Sequence, residues 1–193
     1  GLYAAAEVAS QPAKQALLAA LAGLSPTVTA AASLGGLGVA RTPAADARTA
    51  EFLADERKSK PMGFYTWRED LGRIFQQDRM LQERLAPDEA GALAAALGRD
   101  PALAAAYGRH LDFVAKLTNA LSASKPDLRR PGGNYFFPPS RSHEKDLADR
   151  LVGPNRVPTG FSLARELVKA LRAGAIDLAP TPSSGWYDIQ TWA

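Results

Sequence analysis

The stretch Thr66-Trp67-Arg68-Glu69-Asp70-Leu71-Gly72-Arg73-Ile74-Phe75-Gln76-Gln77-Asp78-Arg79-Met80-Leu81-Gln82-Glu83-Arg84-Leu85 carries the clearest pattern in the chain. Trp67, Leu71, Ile74, Phe75, Leu81 and Leu85 fall on one stripe at helical spacing. Thr66 followed three residues later by Glu69 has the form of a capping box: the hydroxyl takes a first-turn N–H and the carboxylate reaches back. The stretch predicts an amphipathic helix opening at Thr66. One residue breaks the pattern. Asp78 lies four after Ile74 and three before Leu81, so it points toward the apolar stripe, where a carboxylate must be paired, hydrogen-bonded or protonated.

Helical signals continue on both sides. Downstream, Pro87 and Gly98 bracket an alanine-rich helix. Asp100-Pro101 opens another, with Leu103, Tyr107, His110, Val114, Leu117 and Leu121 at alternating spacings of four and three, a seam suited to packing on a neighbour. The short break at Gly98–Asp100 makes the two a hairpin. Upstream, Thr42-Pro43 is an N-cap followed by proline at the first helical position, predicting a helix to about Lys58. Ser10 and Pro12, ahead of Leu17, Leu18, Leu21 and Leu24, read as the start of a shorter helix. Residues 25–41 show no period and read as a Ser/Thr/Gly/Ala connector. Near the other end, Ser142 is expected to cap a short helix ending near Gly153. Ser162 to Ala173 forms a last full helix with Leu163, Leu167, Val168 and Leu171 inward, closed by Gly174.

Composition agrees with this pattern. The chain has 193 residues, 46% of them apolar, enough for a core. Alanine and leucine dominate that share, and β-branched residues never alternate in runs, which favours helix over strand. The expected fold is mainly α: an irregular bundle of six or seven helices with long Pro/Gly-rich connections. Its segments are 1–41 (N-terminal helix and connector), 42–179 (helical core) and 180–193 (linker and aromatic tail).

Several function classes are excluded or disfavoured. The absence of cysteine removes disulfides, thiol nucleophiles and thiolate metal sites. With only His110 and His143, a histidine-rich metal site is excluded, and no cofactor is expected. No apolar run is long enough to span a membrane. A net charge of +3 is small for this length, so nucleic-acid binding is disfavoured unless the surplus is concentrated on one face. Gly35-Gly36-Leu37-Gly38 lacks the Gly-Lys-Ser/Thr of a phosphate loop.

Four places are candidates for function. First, Asp78 and His110 both face apolar seams and are expected to meet across a helix contact, as half of an acid–base constellation or as a buried pin fixing helix register. The pin is the stronger reading, because no nucleophile motif accompanies the pair. Second, His143, Asp146 and Asp149 sit near one helix start, where acidic residues offset the helix dipole, and a metal role is the weaker reading. Third, the loop 124–142 holds Arg129, Arg130, Tyr135 and Arg141 around Gly132-Gly133-Asn134. Arginines and convergent backbone N–H groups suit an anion, and interleaved rings suit bases or sugars. The plainer expectation is that Tyr135, Phe136 and Phe137 pin the loop to the core.

Fourth, the last eight residues hold Trp186 and Trp192, with Ile189 between them at helical spacing and Ser184 placed to cap. A start at Gly1 without an initiator methionine, together with this apolar tail, gives the expectation of a processed segment of a larger protein, weakly favouring a secreted or periplasmic setting. The function expected is a non-catalytic structural or interaction segment docking through its tail onto the rest of a larger polypeptide or a partner chain. The alternatives are an enzyme segment using Asp78 and His110, and a carbohydrate- or nucleic-acid-binding module using the 124–142 loop.

Overall fold

The computed structural model describes residues 1–140, 150, 162–182 and 184–192. The protein is mainly helical, an irregular bundle with nine α-helices and no strands among the described residues. These are α1 (Leu2–Leu21), α2 (Pro26–Leu34), α3 (Pro43–Ala54), α4 (Glu56–Ser59), α5 (Glu69–Leu81), α6 (Pro87–Arg99), α7 (Pro101–Leu117), α8 (Leu163–Arg172) and α9 (Trp186–Trp192). Among the described residues, no helix is long and apolar enough to cross a membrane. The chain forms two compact units: residues 1–111 with 123–138, and residues 112–122 with 139–193.

In the first unit α2 packs against α1, α3 and α5. This corrects the expectation of a connector over 25–41. Ser25 accepts a hydrogen bond from Val28 N at 3.2 Å, Pro26 holds the first helical position, and Thr27 to Ala32 are all buried. A helix enclosed on every side has no polar face, so its sequence shows no amphipathic period. Its small side chains let its neighbours approach closely.

Three boundaries also differ from expectation. Helix α1 begins at Leu2 and carries Pro12 in its interior. The lost N–H is tolerated because the helix is anchored farther on by buried Leu17, Leu18 and Leu21. Helix α3 ends at Ala54, where Asp55 leaves helical geometry and caps α4 through Arg57 N at 3.1 Å. The capping box at Thr66 does not form. Residues Gly63–Thr66 make one tight 3-10 turn in which the Thr66 hydroxyl donates to Gly63 O at 2.8 Å, and α5 starts at Glu69. Trp67 is therefore displaced from the stripe and is 64% exposed, while Leu71, Ile74, Phe75 and Leu81 are buried as predicted.

Helix α6 is tied to α2 by one side chain. Glu89 accepts from Ser25 Oγ at 2.6 Å, Thr27 N at 2.9 Å, Thr27 Oγ1 at 3.2 Å and Ala86 N at 3.1 Å. A single carboxylate thus satisfies first-turn donors of two helices. These hydrogen bonds outweigh its burial and hold its pKa below the usual value.

In the second unit, Ser162 caps α8 through Arg165 N at 3.4 Å, and Gly174 closes it at φ 65°. Val168 and Leu171 are not inward: they are 45% and 36% exposed. The short helix expected after Ser142 lies outside the described residues, apart from Arg150, which is helical.

Candidate functional site

Asp78 and His110, expected to meet across a helix contact, share no hydrogen bond among the described residues. Lys14 takes Asp78 instead, its Nζ lying 2.7 and 2.8 Å from the two carboxylate oxygens. Lys14 is 1% exposed and sits on the α1 face that carries Glu7, Gln11, Leu18 and Leu21 at alternating intervals of four and three. Glu7 Oε2 is 3.8 Å from the same ammonium, and Tyr65 donates to Glu7 Oε1 at 2.7 Å. Gln11 Nε2 donates to Gln77 Oε1 at 2.8 Å, and Gln77 passes the chain on to Ala31 O at 3.3 Å. Two carboxylates thus share one buried cation. Burial raises the pKa of both Asp78 and Glu7, and the charge of Asp78 raises Glu7 further, while Lys14 opposes the rise in each.

His110 stacks on Phe137, ring centroids 4.5 Å apart. Burial, with the positive charge of Lys14 second, lowers its pKa to about 4. Lys14 therefore acts on both: it binds Asp78 directly, and its charge adds to the burial that keeps His110 neutral.

The loop after residue 122 is pinned as its rings foretold. Phe136 and Phe137 are buried, and Tyr107, fully buried on α7, donates to Phe136 O at 2.6 Å and accepts from Leu128 N at 3.3 Å. Burial raises the Tyr107 pKa, so the phenol remains protonated at neutral pH. Tyr135 is half-buried beneath Lys125, whose Nζ lies 5.5 Å from the ring centre. Arg129 grips buried Asp127 through Nε at 2.9 Å and Nη2 at 3.2 Å. Arg130 reaches the same carboxylate only at 4.0 Å and remains exposed. Arg141, His143, Asp146 and Asp149 lie outside the described residues. No group of three metal-ligating side chains occurs among the described residues.

A cleft of about 670 Å³ opens between this loop and α6. Arg84, Leu85, Pro87, Ala90, Gly91 and Ala94 form one wall, and Leu128, Arg130 and the segment Gly132 to Asn134 form the other. Leu85 N donates to Asn134 O at 2.9 Å, which fixes the walls at one end. The sequence pointed to Arg130 but not to Arg84 or Gly91, because the α6 wall is forty residues away along the chain and shows no motif of its own.

In the second unit, the tail forms α9 as its spacing predicts, but Asn119 caps it rather than Ser184. Asn119 Oδ1 accepts from Gly185 N at 3.3 Å and Asp188 N at 3.1 Å, and Tyr187 N donates to Thr118 O at 3.0 Å. Ser184 Oγ instead donates to Asp188 Oδ2 at 3.1 Å. Gly185 permits this seat: a Cβ there would lie 2.2 Å from Thr118 O. The backbone of α9 is thus held from within the chain, while Trp186, Ile189 and Trp192 remain 46%, 42% and 60% exposed.

Compared with known protein families, curated proteins and solved structures, the chain matches none.

Proposed function

We propose that this protein is a non-catalytic interaction module whose second unit docks onto another protein surface, on a partner chain or on the rest of a longer polypeptide. The observation that carries this reading is the tail. Asn119 and Thr118 hold α9 by its backbone, so its indoles are presented by an ordered helix. Helix α8 in the same unit adds half-exposed Val168 and Leu171. Pre-ordered aromatic side chains lose little entropy on binding. Covering a few hundred Å² of such surface contributes several kcal/mol at ~25 cal/mol per Å².

The chemistry at Asp78 and His110 favours a structural role for them. Lys14 occupies the carboxylate, and the neutral imidazole lies flat on Phe137. Asp78 reads as part of a buried polar pin between α1 and α5, and His110 as a ring packed on Phe137.

A photo-crosslinking residue at position 189, in the protein expressed in its native host, tests the proposal. It should give a defined protein adduct that Trp186→Ser with Trp192→Ser abolishes, while the same probe at Arg99 on α6 gives none. An adduct pattern indifferent to the two tryptophans overturns it.

A further inference from the structure

The first unit holds a second binding feature, independent of the tail. We infer that the cleft between α6 and the 128–134 loop binds a small organic carboxylate with an apolar body.

Its size falls within the range of small-molecule sites, about 300–1,000 Å³. Its wall is apolar at Leu85, Pro87, Ala90, Ala94 and Leu128; among the described residues its charged lining is Arg84 and Arg130, with no acidic side chain. Asp127, beside Leu128 in the loop wall, is already held by Arg129 through two side-chain hydrogen bonds and the Arg129 N–H at 2.9 Å. Arg130, at 4.0 Å from that carboxylate and with 67% of its side chain exposed, retains donors for a ligand. Arg84 makes no ion pair among the described residues. With the Asn134 amide oxygen turned toward it, Arg84 Nε and Nη2 lie 3.1 and 3.2 Å from that oxygen. A neutral amide orients this guanidinium without cancelling its charge. Two arginines beside an apolar wall complement a carboxylate, which accepts their N–H groups in pairs, and the apolar body attached to it.

Gly91 is the independent sign. It lies inside α6, an alanine-rich helix, where glycine costs about 0.5–1 kcal/mol relative to alanine. A Cβ at Gly91 would meet nothing within 4 Å. Packing therefore does not demand glycine here. A larger side chain would extend into the cleft, so glycine keeps the wall low where the apolar body would lie.

Calorimetric titration with sodium decanoate, decanol and decyltrimethylammonium tests the assignment. Decanoate should bind saturably at one site, with decanol at least roughly tenfold weaker and the cation not binding. Arg130→Gln and Arg84→Gln should each weaken decanoate by roughly tenfold, the loss of one charge-assisted contact. Gly91→Leu should abolish binding while leaving the circular dichroism spectrum unchanged and the Tm equal or higher, which separates a blocked cleft from a damaged fold. Decanoate binding that survives Gly91→Leu, equal binding of the alcohol, or no saturable binding to the folded wild-type chain overturns the inference.

Discussion

Lys14 and Asp78, sixty-four residues apart, meet through two hydrogen bonds of 2.7 and 2.8 Å, with Lys14 shielded from water. An ammonium in that position is stable only because the carboxylate faces it, so the contact joins α1 to α5 and selects one register between them. Glu7 and Tyr65 extend the network, and the second carboxylate leaves it short of positive charge.

Removing the cation should therefore be costly. Lys14→Met is expected to lower stability by about 3 kcal/mol in urea denaturation at pH 7, and Lys14→Met with Asp78→Leu to recover most of that loss. The pH dependence has a definite sign. Without Lys14 the carboxyls of Asp78 and Glu7 move further above their usual range. A raised carboxyl contributes stability below its unfolded pKa and loses it as pH rises through the folded value. The single variant should thus be closest to wild type near pH 4 and fall away toward neutrality. A deficit that shrinks as pH rises would refute the shared-cation account.

His110 gives the opposite slope. Its pKa is about 4 in the folded protein, against 6.5 for a free imidazole. Its contribution is present above pH 6.5 and lost as pH falls toward 4. About 2 kcal/mol is at stake, less than for a fully shielded ring because part of it meets solvent. His110→Phe keeps a ring against Phe137 and should flatten the dependence of stability on pH between 6.5 and 4. An NMR titration placing the His110 ring near 6.5 would contradict its placement.

Glu89 joins α2 and α6 through four accepted hydrogen bonds. Glu89→Ala leaves those donors without their acceptor, and a loss of about 3 kcal/mol is expected from chemical denaturation. Because its pKa is depressed, the wild-type contribution should disappear as pH falls below the ordinary carboxylate range, so the two proteins converge in acid.

Tyr107→Phe removes the donor to Phe136 O and the acceptor for Leu128 N. The expected cost is about 1–2 kcal/mol, with faster proteolytic cleavage within residues 124–135. An unchanged cleavage rate would mean that the buried rings alone hold the loop.

The helical class, the Thr42-Pro43 start of α3, the inward aspartate and the two-turn tail helix were all legible in the sequence, because each depends on residues within one or two turns. Helix α2 was hidden by its own burial: Ser25-Pro26 is the same kind of cap as Thr42-Pro43, but no amphipathic stripe follows. The partners of the polar side chains were not legible. Asp78 advertises that it needs a cation, yet nothing local selects Lys14, and the tail shows an apolar face but not that Asn119, sixty-six residues from Gly185, caps it. Tertiary packing makes those choices. The cleft was half visible, since the loop side carries Arg130 and paired glycines while the α6 side is plain alanine and glycine.

Oxidative footprinting of the tryptophans tests the central claim most directly, because Trp67 in the first unit serves as an internal reference at 64% exposure. In the isolated chain Trp186, Trp192 and Trp67 should all be oxidised readily. In native host extract Trp186 and Trp192 should be protected several-fold and Trp67 should not. Equal oxidation of the tail tryptophans in both settings would contradict the account of α9 as a docking surface.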